Sequence, residues 1–160
     1  MDQSEPEARQ QVVKVKVAEA AAPLIEVFHS IGEEPLDHVS YFYVHGCLER
    51  IVFVFGSTSL VVLADEDDDT VVLSTASTAT TDTSLETNMT HLPLWTPFTG
   101  KPFGWGYIVI NQQGYCDGLL LSFGDMRSKI LVQVLASSLQ VSMISEAPSY
   151  LTNAADEQSK

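Results

Sequence analysis

The sequence predicts an α+β fold: a mainly antiparallel, strongly curved sheet or partly open barrel of seven to eight strands, with one N-terminal helix. Three observations predict it. The apolar segments are short and rich in Val, Ile, Leu and aromatic residues, which is strand composition. Gly, Asn, Asp and Ser punctuate them at hairpin spacing. Near the N-terminus one stretch carries apolar residues at helical spacing instead.

The elements follow in order. Residues 1–10 read as a disordered acidic tail and 151–160 as a second tail. Between them, 11–150 reads as a single β-rich domain. Val12–Val17 alternates Val with Lys at its centre, the pattern of a short amphipathic strand. The Ala-rich residues that follow favour helix. Pro23 suits a first helical turn. Leu24, Val27, Phe28 and Ile31 fall at i, i+3, i+4 and i+7, with Ile25 beside them. They make one stripe on a helix of roughly 23–31, with Gly32 as its stop. This helix is expected to lie across one face of a sheet.

From Leu36 the character changes. Tyr41–Val44, Ile51–Phe55, Leu60–Leu63 and Thr70–Leu73 read as four strands of an antiparallel meander. His45-Gly46, Gly56-Ser57 and the run Asp65-Glu66-Asp67-Asp68-Asp69 are its turns. Strands apolar on both sides need a helix or a second sheet over each face. Ten of the 17 residues from Ser74 to Thr90 are Ser or Thr, so 74–90 reads as a flexible loop. Strands resume at Tyr107–Ile110, Tyr115–Phe123, Ile130–Leu135 and Leu139–Ile144. Asn111–Gly114, Gly124-Asp125 and Ser137-Ser138 separate them.

Composition narrows the function classes. The chain has 160 residues, long enough to hold a core without a staple. Eight Lys and Arg against 21 Asp and Glu give a net charge of −13. That argues against nucleic acid, which needs a basic footprint. No apolar run reaches the ~20 residues of a membrane span. The acidic start, Met1 to Glu5, lacks a signal-peptide pattern, so the expected location is cytoplasmic. Cys47 and Cys116 are then expected as buried, reduced thiols. No nucleophile motif, phosphate loop or paired histidine motif is present, so enzymatic activity is not expected and neither is a cofactor.

Three segments are candidates for chemistry. The first runs from Leu94 to Tyr107. It holds both tryptophans, Trp95 and Trp105, with Phe98, Phe103 and Tyr107, among glycines and prolines. Large rings on a constrained loop suit a partner or an apolar ligand; they serve equally to plug one end of a sheet. The second is Asn111, Gln112, Gln113, Tyr115 and Asp117, where amides, a hydroxyl and a carboxylate interrupt two apolar strands. Its plainer reading is a hairpin turn bonding to its own backbone. The third is the acidic run. Asp65, Asp67 and Asp69 have the spacing that opens a calcium loop, but Thr70 stands at the sixth position and Ala76 at the twelfth. Gly and Glu are needed there, so the expected metal is none, a divalent cation shared with neighbouring loops being the weaker reading. Glu49 and Arg50 read as an exposed strand start or a buried pair.

Residues 104–119, Gly-Trp-Gly-Tyr-Ile-Val-Ile-Asn-Gln-Gln-Gly-Tyr-Cys-Asp-Gly-Leu, resemble the central signature of a family of small uncharacterised bacterial proteins. The resemblance implies a compact, helix-poor intracellular domain and carries no catalytic residues with it.

The leading functional expectation is a non-enzymatic acidic binding module whose partner is a basic protein, in the manner of an immunity or antitoxin protein. The alternative is a small-molecule-binding barrel or small hydrolase. Its pocket would be lined by Trp95, Trp105, Tyr107 and Tyr115, with Asp117 and His91 at the mouth. A homodimer through an open sheet edge is a third reading.

Overall fold

The computed structural model describes residues 21–144 apart from 66, 79–85 and 128. The expected tails at 1–10 and 151–160, and the Val/Lys segment at 12–17, lie outside the described residues. Helix α1 covers residues 21–30. Nine strands follow: β1 (Leu36–Val44), β2 (Cys47–Phe55), β3 (Thr58–Asp65), β4 (Thr70–Ser77), β5 (Thr87–Asn88), β6 (Phe103–Ile110), β7 (Cys116–Phe123), β8 (Ile130–Leu135) and β9 (Ser138–Met143).

These strands form two antiparallel sheets. One has the order β4-β3-β2-β1-β5 and the other β6-β7-β8-β9. The expectation of one strongly curved sheet or partly open barrel of seven to eight strands is therefore incorrect: the fold is mostly β, in two sheets, with no closed barrel. The physical reason lies in how the strands are covered. Ile51, Phe53 and Phe55 of β2 are buried in a core shared with Leu119, Leu121 and Phe123 of β7. A second sheet thus covers the inner face, where a curled single sheet would have covered itself. The chain changes sheets between β5 and β6. Thr87–Asn88 ends the first sheet by pairing with Ser40 and Tyr41. Of the segment 74–90, expected as a loop, Ser74–Ser77 belong to β4 and pair with β3.

Aromatic rings bind the two layers. Phe53 lies 6.0 Å from Phe123, and Phe55 stacks on Phe123 at 6.4 Å. Such pairs add roughly 0.5–1.5 kcal/mol beyond their buried area. Polar links join the layers at several places. Leu36 N donates to Lys101 O and Gly100 N to Leu36 O, both at 2.8 Å. Leu48 N donates to Ser138 Oγ at 3.1 Å. Ser137 N donates to Asp69 Oδ1 at 2.7 Å, and the Ser137 hydroxyl to the same oxygen at 3.2 Å.

The helical stripe packs as its spacing requires. Phe28 and Ile31 are buried, and Leu24 and Val27 pack against the same core. Phe28 stacks on Phe103 of β6 with centroids 5.6 Å apart. Gly106 of β6 permits this approach, and Gly104 permits that of the turn after β7. A Cβ at Gly106 would lie 2.6 Å from the Phe28 ring, and one at Gly104 would collide with the carbonyl oxygen of Asp125. Ile25 stays 44% exposed.

Candidate functional site

The aromatic segment divides into core and surface. Trp95 is completely buried and Phe98 nearly so. The Trp95 indole N–H donates to the Tyr41 hydroxyl at 2.8 Å, and its ring lies edge-on to Phe53 at 5.3 Å. Burial pushes the Tyr41 phenol up to about 12; the Trp95 hydrogen bond opposes that shift and neighbouring Tyr43 adds to it. Trp105 and Tyr107, by contrast, are 42% and 44% exposed. They project from the same face of β6 with ring centroids 6.4 Å apart.

Between α1 and β6 runs a groove of about 500 Å³. Its walls are apolar and aromatic: Ile25 and Phe28 on the helix side, Trp105, Tyr107 and Ile108 on the strand side. His29 and Glu33 supply its ionisable groups. Sequence reasoning missed the helix side of this groove. A signal was present, because a glycine inside a strand pattern, here Gly106, marks the close approach of another element.

A second cleft, of about 420 Å³, is polar. It gathers Asp67, Asp68 and Asp69 from the β3–β4 turn with Asn111, Gln113, Tyr115 and Asp117 from the β6–β7 hairpin. Its floor continues over Val134, Leu135 and Ala136. Two candidate segments 40 or more residues apart in sequence therefore meet. The turn chemistry that shapes the cleft is explicit. The Asn111 side-chain oxygen accepts from Gln113 N at 2.9 Å and from Tyr115 N at 3.2 Å. Asn111 is thereby occupied with its own hairpin, while Gln113, Tyr115 and Asp117 line the opening. Asp69 sits at φ 50° and is tied to Ser137. Asp65 accepts from Asp67 N at 3.0 Å, which caps the turn from its strand end.

The remaining candidates fall elsewhere. Gln112 is exposed in the hairpin and lines neither cavity, as does His91 in the segment before β6. The pocket expected from Trp95, Trp105, Tyr107 and Tyr115 is not assembled: Trp95 is core, Trp105 and Tyr107 border the groove, and Tyr115 borders the acidic cleft. Arg50 pairs with Glu86 at 3.0 Å, and its guanidinium lies 4.7 Å from the Phe42 ring centroid. The Glu86 side chain is 1% exposed, so this pair is a largely desolvated structural contact on the first sheet. Cys116 is buried as expected, and burial pushes its thiol up to about 11. Cys47 is exposed, which corrects the expectation of two buried thiols; it sits at the first position of β2, after the His45-Gly46 turn. Among the described residues no group of three His, Cys, Asp or Glu is placed to hold a metal ion. No helix among them is long and apolar enough to cross a membrane.

Two antiparallel sheets, a flanking helix and two surface clefts of opposite character define a small β-rich domain. A family of unknown function, DUF6334, matches residues 21–148, and the chain belongs to that family. The matched span includes the 104–119 segment, which folds as β6, the Asn111 hairpin and the start of β7. No curated protein and no solved structure matches the chain.

Proposed function

We propose that this protein is a non-enzymatic binding module that recognises a basic protein, and that the acidic cleft receives a Lys or Arg side chain of that partner. One observation carries the reading: Asp67, Asp68, Asp69 and Asp117 converge on a single cleft whose walls contain no Lys, Arg or His. The cleft suits both parts of such a side chain. The Tyr115 ring and Leu135, both about half exposed, border it and offer apolar surface to the aliphatic stem. The carboxylates and the Gln113 amide offer acceptors to the cation. A net charge of −13 adds long-range attraction that speeds encounter.

The test is capture from the source cells with wild type and with an Asp67→Asn, Asp68→Asn, Asp117→Asn variant, each at low and high salt. The expected result is a basic protein retained by wild type at low salt, released as salt screens the charges, and not retained by the variant. Equal retention by the variant, or capture of nothing at either salt, overturns the reading.

A further inference from the structure

β6 is an outer strand: among the described residues it pairs with β7 on one side and, past the isolated bridge of Pro102 to Pro35 just before it, with no strand on the other. An outer strand presents a row of N–H and C=O groups to any second chain. Such edges are commonly blunted by charge, proline or shortness, and β6 has none of these along its eight residues. The groove follows this edge. Trp105 and Tyr107 from one face of β6 line it together with Gly106 and Ile108 from the other, which happens where a cavity runs along a strand rather than over one face. Its opposite wall is α1. A channel between a strand edge and a helix has the shape that an added extended strand fills.

The two flanks of the channel differ chemically. On one flank a strand would meet Ile25 and Phe28 of α1 together with Ile108 from the inner face of β6. On the other side it would meet the Trp105 and Tyr107 rings, tilted 53° to one another and both accessible. Aromatic faces attract cations, Glu33 lines the same groove, and no Lys or Arg does. Alternate side chains of a strand point to opposite sides. We infer that the α1–β6 groove is a β-augmentation site for an extended peptide of a separate protein, apolar at alternate positions and basic between them. This adds a docking mode to the binding reading and shares no residue with the acidic cleft, so the two stand or fall separately.

The test uses the full chain, isotope-labelled, with the probe acetyl-Val-Lys-Val-Lys-Val-Lys-Val-amide. Two control peptides replace Lys by Glu or carry N-methyl groups on alternate residues. Binding is expected to be saturable, to shift Trp105 emission and to slow amide exchange within 103–110. Each control should bind about tenfold more weakly or worse, and Ile25→Lys, at an exposed position, should weaken the probe by about fivefold or more with thermal unfolding unchanged. Absent binding, equal binding of the Glu peptide, or shifts confined to Asp67–Asp69 and Asp117 would overturn the inference. So would β6 amides that are already protected in the free chain and lose that protection in Val15→Pro, because the chain's own Val12–Val17 segment would then be the occupant.

Discussion

Tyr41 and Trp95 form a polar contact inside an otherwise apolar core, and two predictions arise from it and from Cys116. Tyr41→Phe keeps the ring but leaves the buried indole N–H without its acceptor. The expected loss is about 1–3 kcal/mol, read from urea denaturation. The second concerns alkaline pH. Cys116 ordinarily ionises near 9.0 and Tyr41 near 10.0, and folding raises them to about 11 and about 12. Both therefore bind protons more tightly folded than unfolded. Their stabilisation is whole below the lower values and is lost as pH rises through the two windows. The unfolding midpoint should fall steadily above pH 9.0, and Cys116→Ala should remove the earlier part of that fall. Residue identity made some of this legible: Trp95 and Phe98 stood out as rings on a constrained segment. Their burial was not legible, because Trp95 and Trp105 share the same local company of Gly, Pro and Phe and differ in which layer lies over them.

At the scale of elements, the sequence located strands better than it located neighbours. The apolar runs at 51–55, 60–63 and 130–135 lie within β2, β3 and β8, and the turns at Gly56-Ser57 and Asn111–Gly114 fall between strands. Period-two patterning reports that both faces are covered without saying by what, so the partition into two sheets was not visible. β5 had no apolar signal, since Thr87 and Asn88 are both exposed. The two close approaches to β6 supply an ordered prediction. Gly104→Ala must displace the backbone at Asp125, whereas Gly106→Ala meets side-chain atoms alone, the edge of the Phe28 ring. Both should lower the unfolding free energy read from urea denaturation, the first by the larger amount, about 1–3 kcal/mol. The reverse order would show that Phe28 is held more rigidly than the turn. The candidate site was half legible: its residues in 111–117 and the acidic run were each identified, but their meeting depends on how β4 stacks near β7 and β8.

For the whole molecule, charge and connectivity dominate. A chain of −13 repels itself, and added salt relieves that repulsion within a Debye length of roughly 10 Å at 0.1 M. The melting temperature should therefore rise between low salt and moderate salt, and a fall would mean that attractive pairs among the exposed charges outweigh the repulsion. The links between layers have a different outcome. Leu36 is fastened to Gly100 and Lys101, Leu48 to Ser138, and Asp69 to Ser137, so neither sheet can peel from the other without breaking contacts in both. The most protected amides of β2 and β7 should accordingly open with one common free energy. Damage at any one seam would then surface as a lower abundance of intact protein, with no half-folded remnant left to carry on.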